Sequence, residues 1–270
     1  MNMPVIEAQN LSKSFGDERV LDGLNLTIEP GQIVALIGTN ASGKTTLIKC
    51  LLGLLRLSEG AGRIFGEDSW NLSANAKSRL GYVSQEFEML NWMTVRQITD
   101  YTGAFYEHWQ PQRVAQLISE WQLPLHKRIN TLSVGQRQKL AAILAMGHQP
   151  ELLILDEPVA SLDPSARRQF LRSLIEFTAD ETRTILFSSH ITSDLERIAS
   201  HVAFLRSGRV AWFGPLDLLK ERCKRIRIFA AEPLPATLDI PGAIHAEVQV
   251  SGRFARIATI DEAFEVPATV

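Results

Sequence analysis

The sequence predicts an α/β protein whose core is a buried parallel sheet, interrupted by a helical insertion and followed by a small β-rich extension. Three observations carry that reading. The apolar runs Ile33–Ile37, Leu152–Leu155 and Thr184–Phe187 are too continuous for half-exposed strands, and each ends in polar residues. The loop Gly38-Thr39-Asn40-Ala41-Ser42-Gly43-Lys44-Thr45 follows the first run and opens a helix. Between about residues 90 and 150 the pattern turns helical, with Val114, Leu117 and Ile118 at helical spacing and Lys139–Met146 rich in Ala and Leu.

Residues 4–32 read as short strands, Val5–Ala8, Val20-Leu21 and Leu24–Ile28, punctuated by Gly16-Asp17 and Pro30-Gly31. The core strand Ile33–Ile37 comes next, and the helical segment separates it and its loop from Leu152–Leu155. A hairpin is predicted from His201–Leu205 and Arg209–Phe213, turning at Ser207-Gly208. Past Lys220 the pattern is strand-like again, broken by Pro233, Pro235 and Pro241. The predicted division is therefore a main domain over 1–220 and an extension over 221–270. In the extension Arg222, Lys224, Arg225 and Arg227 alternate with Ile226 and Ile228, as an edge strand with one charged face would.

Composition bounds the function. The chain has 270 residues, 45% apolar and 21% charged, enough for a sizeable core. A net charge of -2 excludes a general nucleic-acid-binding surface, which needs clustered cations. Cys50 and Cys223 make neither a metal spacing nor a disulfide framework, as expected in a reducing cytosol. No apolar stretch reaches the roughly 18–20 residues of a spanning helix, and no secretory signal opens the chain. A membrane role is expected to pass through a separate subunit.

The loop has the pattern G-x-x-x-x-G-K-[ST], in which glycines let backbone N–H groups curl around a phosphate at a helix N-terminus. Lys44 is expected at the β- and γ-phosphates of ATP and Thr45 on Mg²⁺. The run Leu152–Leu155 ends in Asp156-Glu157-Pro158. Two adjacent acids at the end of a core strand are costly without a cation. Asp156 is assigned to the metal and Glu157 to the attacking water.

Leu132-Ser133-Val134-Gly135-Gln136 then resembles the signature of ABC ATPases, the nucleotide-binding subunits of ABC transporters. The resemblance covers roughly residues 4–220 and implies the ABC type of P-loop NTPase: a RecA-like core, an N-terminal antiparallel β subdomain and a helical subdomain. It further implies that Phe15 stacks on adenine and that Gly38 to Thr46, including Thr39, Asn40, Ala41, Ser42, Gly43 and Thr46, cradles the phosphates. Gln85 resembles the glutamine that touches Mg²⁺ and the attacking water. Asp163, in Ser161-Leu162-Asp163-Pro164, resembles the D-loop aspartate, and His190 the switch histidine at the γ-phosphate. Segments 91–95 and 105–109 look like ATPases of ABC-2-type bacterial exporters.

Three residues depart from the family pattern. Val134 stands for the first signature glycine, Phe15 for a more usual Tyr, and Ala41 for a frequent glycine. Ala41 is expected to keep a negative φ. The resemblance also implies two subunits, homo- or heterodimeric, sandwiching ATP head to tail. Each Ser133, Gly135 and Gln136 would meet the other subunit's nucleotide. A permease would dock near residues 85–92, placing the subunit on the inner face of the plasma membrane, with no nucleic-acid partner. An importer ATPase and a non-transport ABC ATPase are the alternatives.

Overall fold

The computed structural model describes residues 3–85, 89–178, 182–189, 197–222, 224–229, 243–248 and 254–259. Strands β1 (Ile6–Phe15) and β2 (Glu18–Ile28) form one antiparallel hairpin around Gly16-Asp17. The sequence suggests two short pieces where β2 runs unbroken. Gly23 explains this: at φ 59 it takes up the register irregularity between Leu21 and Leu24 without ending the strand, and its N–H donates to the buried Ser12 hydroxyl at 2.9 Å. On its other edge β1 pairs with β4 (Glu59–Ile64), which pairs with β5 (Glu67–Asp68), giving the order β2-β1-β4-β5.

The second sheet has six strands in the order β10-β9-β3-β8-β7-β6. Its centre is β3 (Ile33–Ile37), parallel to β8 (Thr184–Ser189) and to β9 (His201–Arg206). β7 (Leu152–Leu155) joins β8 to β6 (Leu80–Val83), also in parallel. β10 (Arg209–Pro215) closes the far edge through the turn at Ser207-Gly208. Helix α1 (Lys44–Leu51) runs from the end of β3 and packs against β1, β2 and β4. Leu36, Leu47, Ile48, Leu51, Ile6, Leu11 and Ile64 are fully buried there, so one core lies between the two sheets. Short α2 (Ala74–Ser78), capped by the Ser73 hydroxyl, leads into β6.

Between adjacent strands β6 and β7 the chain leaves the sheet to build α3 (Val95–Gly103), α4 (Pro111–Glu120) and α5 (Val134–Met146). Local chemistry sets each start. Thr94 and Gln97 form a capping box on α3, Pro111 pre-sets the first turn of α4, and Ser133 with Gln136 forms a second capping box on α5. After β7, Asp163 caps α6 (Pro164–Phe177).

The chain divides into two compact units, Met1–Phe213 and Gly214–Val270. The second unit begins with the end of β10 and helix α7 (Leu216–Arg222). It contains a three-stranded antiparallel sheet, order β11-β13-β12, of β11 (Lys224–Phe229), β12 (Ala243–Val248) and β13 (Phe254–Thr259). β11 is an edge strand, paired antiparallel with β13 from Lys224 opposite Thr259 to Phe229 opposite Phe254. Among the described residues no helix is long and apolar enough to cross a membrane.

Candidate nucleotide site

The buried strand β3 delivers the chain at Gly38, and the loop turns back into α1 through two left-handed residues, Ala41 (φ 63) and Gly43 (φ 102). At Gly43 a Cβ would meet Leu21 Cδ2 at 2.8 Å, so glycine is required twice over, by conformation and by space. Ala41 does not keep the negative φ expected of it. The loop's curvature holds it in the left-handed region at a cost of about 1–2 kcal/mol. α1 has no side-chain cap, in contrast to α3, α5 and α6, so its first N–H groups stay available to an anion. The Ser42 hydroxyl at the same turn is buried without a partner. Lys44 is buried, and its Nζ donates to the carbonyls of Gly38 at 2.9 Å and Thr39 at 3.2 Å.

From the neighbouring strands come the acids. β7 is buried along its length and ends in Asp156-Glu157. Glu157 Oε1 faces Lys44 Nζ at 3.8 Å, with both side chains nearly excluded from solvent. Ser188, at the end of β8, ties the two acids together: its hydroxyl donates to Asp156 Oδ1 at 2.6 Å and accepts from the Glu157 N–H at 2.8 Å. Asp156 Oδ2 is buried without a partner. Thr45 Oγ1 lies 3.5 Å from Gln85 Oε1. These are hard oxygen donors of the kind Mg²⁺ prefers, and the orphaned Asp156 oxygen is the group a cation would satisfy. Among the described residues no three His, Cys, Asp or Glu gather as a ligand set, so phosphate and water oxygens would complete the shell of such an ion.

Asn40 to Thr46, Gln85 and Glu157 line one cleft of about 320 Å³, together with Glu18 and Val20 of β2. Asp156 is buried and does not line it. Phe15 sits at the β1 end opposite Glu18, half-exposed, with Lys13 Nζ 4.7 Å from its ring centroid. Ser133, Gly135, Gln136 and Asp163 do not line this cleft. Ser133 Oγ accepts from the Gln136 N–H at 3.2 Å, while Gln136 Oε1 accepts from the Ser133 N–H at 3.0 Å. Ser133 is exposed, so its O–H remains a donor for another molecule. The N–H groups of Ala166 and Ser165 hold the Asp163 carboxyl below the usual carboxylate range. His190 lies outside the described residues.

Sequence reasoning passed over Ser188 and Gln138. Two hydroxyls closing the apolar run Thr184–Phe187 were the available signal for the first. For the second it was a lone amide in the Ala- and Leu-rich α5.

Comparison with known proteins gives the same assignment. Residues 21–160 match the ABC transporter family. The phosphonates import ATP-binding protein PhnC of Alcaligenes faecalis is 31% identical, over 97% of this chain and all of its own length. The bacitracin transport ATP-binding protein BcrA of Bacillus licheniformis is 30% identical, over 82% of this chain and 73% of its own. A solved ATP-binding subunit of an ABC transporter superposes with a TM-score of 0.72 at 28% identity, covering 80% of this chain and 92% of that one. With the phosphate loop, the carboxylate-ended strand and the capped signature helix each in place, the chain belongs to the ABC transporter family, as an ATP-binding subunit.

Proposed function

We propose that this ATPase works as one of a pair of subunits, with Mg²⁺ as its metal, and drives a separate membrane subunit in the export direction. The observation that carries the reading is the Lys44–Glu157 pair facing across a cleft that Ser133 and Gly135 do not line. Lys44 and the uncapped start of α1 bind the β- and γ-phosphates, and the Glu157 carboxylate orients water for attack on the γ-phosphate. Thr45, Gln85 and Asp156 would hold Mg²⁺, which when bound offsets charge on the phosphates. His190 contacts the γ-phosphate by resemblance alone. A signature that stays outside its own cleft is placed to serve a second subunit, with the exposed Ser133 hydroxyl and the start of α5 directed at that subunit's ATP.

A second cavity, about 240 Å³, opens between β6 and the helical insertion, lined by Tyr82, Ser84, Met89, Thr102, Tyr106 and His148. Trp92, Tyr101 and Phe105 of the same insertion are exposed. An apolar partner element fits such a surface, and this supports docking of the membrane subunit here. Export is supported by the exporter-like segments 91–95 and 105–109. Import is the second reading, favoured by PhnC, whose likeness spans 97% of the chain.

The test is Ser133→Arg. It should leave binding of a fluorescent ATP analogue to the single subunit unchanged while phosphate release and ATP-driven dimerisation disappear. Hydrolysis at the wild-type rate in that variant would rule out the two-subunit site.

A further inference from the structure

Gln138 is an amide at a position that packing alone would fill with Leu or Met. It is 3% exposed, and its Oε1 is buried without a partner, a standing cost that an apolar side chain would not carry. Its Nε2 makes one contact that explains its presence, donating to the Glu157 carbonyl at 3.1 Å.

The peptide it holds is constrained on every side. Glu157 has φ 50, an unfavourable conformation for a residue with a long side chain. Its N–H is held by Ser188 Oγ, and its carbonyl also accepts from the Ala160 N–H at 3.2 Å. A backbone fixed in this way sets the direction in which the Glu157 carboxylate leaves the chain, toward Lys44. Gln138 belongs to α5, the helix that Ser133 caps. The two residues lie roughly 7–8 Å apart along the helix axis, so a shift of the helix start moves both together.

We propose that Gln138 is a positioning residue that ties the signature helix to the backbone of Glu157. Through it, engagement of Ser133 at one ATP aligns Glu157 for hydrolysis of the other. The first part rests on the assignment of Glu157 to the attacking water, and the second also on the two-subunit reading.

Gln138→Met keeps length and volume, removes the donor and removes the orphaned acceptor. Steady-state hydrolysis by the full chain, its dependence on ATP concentration and thermal melting are measured together. The expected result is a kcat lower by about 10–100-fold, with KM for ATP within about twofold. The Hill coefficient should fall toward one, and the melting temperature should hold or rise. A lower melting temperature with unchanged kcat would make Gln138 a packing residue and overturn the proposal. So would equal losses in kcat and ATP affinity. A reduced kcat with an unchanged Hill coefficient overturns the cross-site part and supports the positioning part. Glu157→Gln, assayed beside it, separates the two readings: normal turnover there would fault the role given to Glu157 itself.

Discussion

Replacing Glu157 by Gln should change stability and turnover in ways that the Lys44 pair dictates. The charges sit 3.8 Å apart, with side chains 8% and 9% exposed. At an effective dielectric constant near 20 their attraction is about 4 kcal/mol. Lys44 keeps its bonds to the Gly38 and Thr39 carbonyls, which brings the net loss in the nucleotide-free variant to about 2 kcal/mol. For a domain of this size that is a drop of about 4–8 °C in melting temperature. ATP returns an anion to Lys44, so MgATP should raise the melting temperature further in the variant than in the wild type. Phosphate release should fall by at least about 100-fold, and a nucleotide-bound pair of subunits should accumulate. Scanning fluorimetry with and without MgATP, run beside a phosphate-release assay, reads all of this. Normal turnover, or an equal ATP-induced shift in the two proteins, would refute the reasoning.

Two further perturbations test the loop and the edge of the sheet. Ala41→Gly relieves the left-handed strain and should leave stability unchanged or raise it by up to about 1 kcal/mol, whereas Ala41→Val should lower it by about 1–2 kcal/mol; chemical denaturation measures both. His148 stacks on Tyr106 with ring centroids 3.9 Å apart, and burial pushes its imidazole down from 6.5 to about 4. The unfolded chain therefore takes up this proton first as pH falls. The contribution is complete above pH 6.5 and is lost on acidification toward pH 4, by roughly 3 kcal/mol. His148→Phe keeps the stack and should flatten the acid side of the stability profile by one proton; an unchanged slope would show that His148 does not titrate there.

The central strands of the parallel sheet show most plainly in the sequence, because they are buried on both faces. β3, β7 and β8 are visible because nothing polar interrupts them, and the loop and acids are visible because they stand at the ends of those runs. β4, with the sequence Glu-Gly-Ala-Gly-Arg-Ile, offers no alternation to read, and β5 and β6 are short, so these three strands go unseen. The left-handed Ala41 and Glu157 are invisible for another reason: backbone strain is imposed by the surrounding structure and leaves no trace in residue type. Ser188 and Gln138 are ordinary polar residues until the carbonyl and carboxyl groups they serve are located.

The position of β3 has a consequence for how the molecule is made. The strand that carries the phosphate loop pairs only with β8 and β9, through Ile33 with Ile185 and Val34 with His201. Those contacts span on the order of 150 residues, so their loop-closure cost falls late in folding. A chain emerging from the ribosome can complete its N-terminal hairpin and its inserted helices while β3 still waits for both neighbours. Nucleotide can then stabilise the loop only after β9 has been made, and ATP binding during synthesis would report closure of this sheet around β3.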